Sequence, residues 1–213
     1  MQTSFPVRVV SFWALCLLTV IAVISTAGPL LRPRPALPRP APVLEQTLPH
    51  VREVPQRMSV IGYEREHFGA WAPAIPEGCP MGNTRDVMLL ESFPQESCTP
   101  KGLIDDPYDG DPISPHDTDI DHIFPLSAAW DMGAHSWTPE QRRAFANDPS
   151  NLVAVSSSAN RQKSDKLPAE WMPSSRGARC WYARRVSYIA YSYDLELTKA
   201  DKRVMESACR LIF

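Results

Sequence analysis

Three hydropathy regimes follow one another along the 213-residue chain. Residues 9–31 carry no charge, and residues 9–24 are apolar throughout except for Ser11 and Thr19. Residues 29–57 hold no sustained period. From residue 58 onward, apolar and polar positions mix in the way a folded domain requires.

Within that last stretch, residues 58–83 are rich in turn-forming glycine and proline. Thr84 is placed to cap a short helix over 85–91, with Asp86 in its first turn. Residues 92–118 read as loop and short strand. Residues 119–125 alternate and are β-prone, which predicts a strand. Thr138-Pro139-Glu140-Gln141 is a capping box with proline at the first helical position. The helix it opens runs to about residue 146, where Asn147-Asp148-Pro149 stops it. A second short strand follows over 151–155. Ser156 or Ser157 then caps a helix ending near Lys163.

Two further helices are expected at the end of the chain. One covers about 178–193, with Val186, Ile189, Ala190 and Tyr193 on one face. The other follows a Thr198 cap and aligns Val204, Ala208 and Leu211. Trp130, Trp137, Trp171 and Trp181 are read as core residues rather than base-stacking platforms. The mixture is an α+β fold.

Composition sharpens the boundaries. The chain has 22 prolines, and eight of them fall between residues 29 and 57. The share is about twice the usual 5%. The organisation expected is 1–28, a signal peptide or membrane anchor; 29–57, an extended proline-rich linker; and 58–213, one domain. A positive Arg8, an apolar core and small residues at Ser25-Thr26-Ala27 have the order of a secretory signal. The run is also nearly long enough to be a retained anchor. Either way the domain lies outside the cytoplasm, secreted or anchored. A membrane is a partner only through an uncleaved N-terminal segment.

The net charge of −2 conceals an asymmetry. Residues 1–57 hold six arginines against two glutamates, a net of +4. Residues 58–124 carry three basic and 13 acidic residues, a net of −10. Residues 125–213 return to +4. A generic cationic nucleic-acid binder is therefore excluded. An acidic cluster beside a basic half suits a metal site next to an anion site, or a plain acidic surface.

Cys16 lies inside the apolar run, leaving Cys79, Cys98, Cys180 and Cys209. An even set in an exported chain suggests two disulfides, with three possible connectivities. The simplest is Cys79–Cys98 with Cys180–Cys209. No closely spaced Cys/His cluster supports zinc.

The chemistry concentrates in three places: Asp121-His122 on the first strand, Asn151 opening the second, and Asn160 with Lys163 on the helix after it. Phosphodiester cleavage needs a base to deprotonate water and a cation to neutralise charge on phosphate. Imidazole suits the first task and carboxylate and amide oxygens suit a hard cation. A strand–strand–helix hairpin brings such residues together.

These residues resemble the HNH, or ββα-metal, nucleases. The resemblance rests on Asp-Ile-Asp-His-Ile-Phe-Pro-Leu at 119–126, Asn-Leu-Val-Ala-Val at 151–155 and Ala-Asn-Arg-Gln-Lys-Ser-Asp at 159–165. The last is similar to a segment of the HNH domain of RNA-guided CRISPR nucleases. A wider resemblance, covering nearly all of 61–210, is to exported bacterial HNH proteins related to the C-terminal nuclease domain of modification-dependent restriction enzymes. It is carried by Phe68-Gly69, Cys79, Thr84-Arg85-Asp86, Cys98, Asp106-Pro107-Tyr108, Arg143, Trp171-Met172-Pro173 and Cys180, among others.

The resemblance implies a small ββα-metal core with added helices. It implies His122 as the general base, Asp121 and Asn160 as metal ligands, and Asn151 as a bracing residue. Lys163 and Arg85 are implied phosphate contacts. Asn160 stands where many HNH proteins have a histidine, so Mg²⁺ or Mn²⁺ is expected rather than Zn²⁺. The function implied is an exported metal-dependent endonuclease acting on nucleic acid, DNA ahead of RNA. The alternative is a non-catalytic cell-envelope binding module that retains the fold.

Overall fold

The computed structural model describes residues 40–210, together with Trp13 and residues 16–19. The chain divides into two units, 1–34 and 35–213. In the first, Trp13 and residues 16–19 are helical. Among the described residues no helix is long and apolar enough to cross a membrane. Most of the expected signal or anchor, the first part of the linker and Leu211 lie outside the described residues.

The second unit starts earlier than residue 58. Helix α1 (Leu44–Thr47) and the turn after it bury Leu44, Leu48 and Val51. Strand β1 (Glu53–Val54) pairs in parallel with a strand near the C-terminus, Leu197–Thr198. Arg57 donates to Asp131 Oδ2 at 2.7 Å and to Asp165 Oδ2 at 2.9 Å. Residues 41–57 are thus part of the fold, which corrects the expected linker. The physical reason is the spacing of Leu44, Leu48 and Val51, an apolar stripe set among prolines.

Helix α2 (Thr84–Ser92) is capped by Asn83, one residue before the expected Thr84, in a capping box with Asp86. Two small hairpins follow, β2 (Gln95–Glu96) with β3 (Thr99–Pro100) and β4 (Ile104–Asp105) with β5 (Pro112–Ile113). Strand β6 (Thr118–His122) ends before the expected residue 125, because Pro125 opens helix α3 (Leu126–Asp131). Helix α4 (Pro139–Ala146) has the predicted Thr138–Gln141 capping box. Strand β7 (Leu152–Ser156) runs antiparallel to β6, with Asp121 opposite Val153 and His122 opposite Leu152. Helix α5 (Ser157–Lys163), capped by Ser156, packs on both strands.

Helix α6 (Arg176–Ser192) buries Val186, Ile189 and Ala190 completely. Strand β8 (Leu197–Thr198) leads into α7 (Lys199–Arg210). The buried positions of α7 are Asp201 and Met205, with Ala208 and Cys209 packed beside them. The stripe is rotated by one residue from the expected Val204, and Thr198 still closes the N-terminus by bonding Asp201. Disulfides join Cys79 to Cys98 and Cys180 to Cys209, with Cα–Cα separations of 5.7 and 4.6 Å. The second ties α6 to α7. Trp130 is buried, and Trp137, Trp171 and Trp181 pack against the main core.

The β6–β7 ribbon separates two apolar clusters. Successive side chains of a strand point to opposite faces. Val153 and Val155 belong to the larger cluster, while Ile120, Leu152 and Ala154 belong to the smaller one with α2. Asp121 therefore shares the face of Val153, and His122 that of Leu152.

Candidate active site

His122 ends β6 and is 7% exposed. Its Nε2 lies 2.8 Å from the carbonyl oxygen of Ala146, the last residue of α4. A carbonyl only accepts, so Nε2 carries the hydrogen. The neutral ring therefore keeps its lone pair on Nδ1. No protein group bonds Nδ1 among the described residues, and the ring lines a cavity of about 150 Å³. Burial lowers the imidazole pKa to about 4; the Ala146 carbonyl opposes the shift, and Arg65 and Lys163 add to it.

Trp71 forms one wall of this cavity. Its ring lies parallel to the imidazole, with centroids 5.6 Å apart and planes at 5°. Asn147, beyond the end of α4, holds the Trp71 loop: its Oδ1 accepts from Ala72 N–H at 2.7 Å and its Nδ2 donates to Ala70 O. Arg65, exposed, completes the rim. Neither Trp71 nor Arg65 was singled out from the sequence. Both stand in a turn-rich stretch with no local signal of the strand they approach.

On the other face, Asp121 is buried against α5. Lys163 Nζ lies 3.0 Å from its Oδ1 and 2.9 Å from its Oδ2. Tyr108 donates its hydroxyl to Oδ2 at 2.6 Å. Lys163 also donates to the carbonyl of His122 at 2.8 Å. Burial raises the Asp121 carboxyl, and Lys163 and Tyr108 oppose it. Burial lowers the Lys163 ammonium, and Asp121 opposes that. Burial likewise holds the Tyr108 hydroxyl well above its ordinary value.

Lys163 is fully buried. The expectation that it contacts phosphate gives way to an internal counter-ion that ties α5 to the end of β6. Asn160 lies one helical turn before Lys163. Its Nδ2 donates to Asp119 Oδ2 at 3.0 Å rather than to Asp121. The two-residue step from Asp119 to Asp121 on the strand thus matches the three-residue step from Asn160 to Lys163 on the helix. The expected pair Asp121 and Asn160 shares a face without direct contact, and Asp119 joins it.

Asn151 is fully buried and ends the short 3₁₀ turn Pro149–Asn151, so the strand expected from residue 151 begins at Leu152. Its Oδ1 accepts from Phe124 N–H at 2.8 Å, and its Nδ2 donates to Phe124 O at 3.2 Å. Its own carbonyl accepts from Ile123 N–H. These bonds hold the chain where it leaves His122. Arg85 lies in the first turn of α2 and does not line the His122 cavity.

Among the described residues no three His, Cys, Asp or Glu side chains cluster to hold a metal. The donor chemistry nonetheless fits a hard ion. Asp119, Asp121 and Asn160 are oxygen donors on one face, and Mg²⁺ asks for only one or two carboxylates beside water.

The sequence of this domain falls in a known family. Residues 95–206 match the family described as the C-terminal domain of GmrSD restriction endonucleases, and the chain belongs to that family. It is also 36% identical over 201 residues to a protein of the fungus Arthroderma benhamiae named "Uncharacterized secreted protein", covering 91% of this chain and 95% of that one. The sequence pointed to bacterial relatives; the relative found is fungal. No solved structure matches the chain.

Proposed function

We propose that the chain is an endonuclease, exported from the cytoplasm, that hydrolyses phosphodiester bonds of DNA. The observation that carries this reading is the fixed tautomer of His122, with Nε2–H spent on Ala146 and Nδ1 open to the cavity. Family membership supports it, because the matching model describes restriction endonucleases. The secreted fungal relative supports export, as do two disulfides.

His122 Nδ1 takes a proton from water, and the water oxygen attacks phosphorus in line. The bond between phosphorus and the 3′ oxygen breaks; that oxygen takes a proton from water and leaves as a 3′-hydroxyl, while the other product keeps the 5′-phosphate. An imidazole with a pKa of about 4 is neutral at ordinary pH and ready to accept that proton. Phosphate in the cavity strengthens the base, since an anion favours imidazolium. Lys163, through its bond to the His122 carbonyl, and Asn151, through Phe124, hold the strand end in place. Asp121 and Asn160, with Asp119, are the residues that would hold Mg²⁺ or Mn²⁺. Held there, such an ion would supply positive charge for the phosphate and the departing oxygen.

A second reading has one specific observation behind it. Both Asp121 oxygens already hold protein partners, as suits a module that keeps the fold for binding alone. The two readings part in one experiment. Purified protein is incubated with supercoiled plasmid and with RNA in Mg²⁺ or Mn²⁺, beside a His122→Ala control. Metal-dependent nicking that falls by about 10²–10⁴-fold in the control supports the nuclease. No cleavage above the control sinks it.

A further inference from the structure

We propose that Arg65, seconded by Arg143, is the phosphate anchor of the His122 cavity. The inference rests on the nuclease reading and replaces the two cations first expected in that role. Lys163 is sealed inside, and Arg85 lies on another element.

The charge distribution narrows the choice. Residues 58–124 hold only three basic side chains among 13 acidic ones: Arg65, Arg85 and Lys101. Lys101 pairs with Glu96. Arg65 lines the cavity itself. It is exposed and makes no hydrogen bond or ion pair among the described residues, although Glu64 and Glu66 flank it in sequence. Glu64 instead faces His67, 3.7 Å away. A guanidinium left unpaired in an acidic stretch, beside an open imidazole nitrogen, is a site for an anion.

Arg143 reaches the same rim from α4. Its side chain lies against Gly69, another lining residue: a Cβ at Gly69 would stand 3.2 Å from Arg143 Nε. Gly69 has φ of +71°, so a side chain there is strained as well as crowded. The glycine leaves room for the arginine. Arg143 too is exposed and without a polar partner among the described residues. The ligand class is a phosphodiester. Arg65 grips its non-bridging oxygens as a two-pronged donor, and Arg143 adds charge at the outer edge.

Binding is measured separately from turnover. A fluorescent duplex oligonucleotide is titrated by anisotropy against full-chain His122→Ala protein without metal. Adding Arg65→Ala is expected to weaken binding about tenfold or more. It also flattens the dependence of log affinity on log salt by about 0.9, one phosphate contact. Arg65→Lys recovers part of the affinity. Arg143→Ala gives a smaller loss, and melting temperatures stay level because both side chains are exposed. Unchanged affinity and salt slope in Arg65→Ala overturn the assignment, as does a larger loss at Arg85→Ala. Parallel cleavage by the wild-type chain separates the two readings. Cleavage with Arg65→Ala indifferent in both binding and KM fails the anchor alone. No cleavage, with binding still sensitive to Arg65, fails the nuclease and keeps the anchor. No binding at low salt overturns both.

Discussion

Trp71 lies flat against His122, ring on ring, with 5.6 Å between centroids. The indole shields one face of the imidazole from water and sets its plane, while Ala146 sets its rotation about that plane. Trp71→Ala is therefore expected to lower kcat for plasmid nicking at least tenfold with KM nearly unchanged. Trp71→Phe should keep most of the rate. Equal losses in both variants would count against a positioning role.

Acid should destabilise the metal-free protein through His122. Its folded pKa of about 4 lies below the ordinary 6.5, so the unfolded chain binds the proton more readily. The contribution is complete above pH 6.5 and is lost as the pH falls from there towards 4. The shift corresponds to roughly 3 kcal/mol. Thermal melts in EDTA should show the wild type losing that much more than His122→Asn over this window. Parallel melting curves would refute it.

Breaking the Asp121–Lys163 pair should be costly. Lys163→Met leaves the buried carboxylate without its counter-ion, with only neutral partners such as Tyr108. The expected destabilisation is about 3–5 kcal/mol. Adding Asp121→Asn to Lys163→Met should restore part of it, because no charge is then stranded. A double-mutant cycle by urea denaturation reads the coupling, and strict additivity would show that the pair is not coupled.

Asn151→Ala should unfold the turn after His122. It removes both partners of the Phe124 backbone, and the site is sealed from water. Each unsatisfied group costs about 1–3 kcal/mol. Loss of stability together with loss of cleavage is the expected pattern, and a well-folded but inactive variant would assign Asn151 a more direct part.

Removing Cys180–Cys209 with a double serine substitution should cost about 3 kcal/mol by freeing a loop of 29 residues in the unfolded chain. Because this bond ties α6 to α7 across the main core, its loss should depress the whole melting transition. Cys79–Cys98 closes a peripheral loop of 19, and removing it should leave the α6–α7 core intact to hydrogen exchange.

The legible parts of the fold were those with short-range signals. The Thr138–Gln141 capping box marks a helix start where the structure has it, and of the two candidate caps Ser156 and Ser157 the structure uses Ser156. Alternation marked β6, a short apolar run marked β7, and the error at the end of β6 came from a proline that begins α3. The stripe of Leu44, Leu48 and Val51 was equally local but was hidden by the prolines around it. Of the candidate site, Asp121, His122, Asn151 and Asn160 could be named from their motif, yet their partners could not.

What the sequence determined by itself is the set of elements and the residues able to do chemistry, because caps and periods act over a few positions. What only the tertiary structure decided is how those residues are matched. It set Lys163 on Asp121, 42 residues away, and so removed it from any surface role. It gave Asn160 to Asp119, laid Trp71 on His122, and left Arg65 open at the cavity. Each pairing joins segments distant in the chain. Burial there makes every unpaired charge expensive, so packing, and not local preference, chooses the partner.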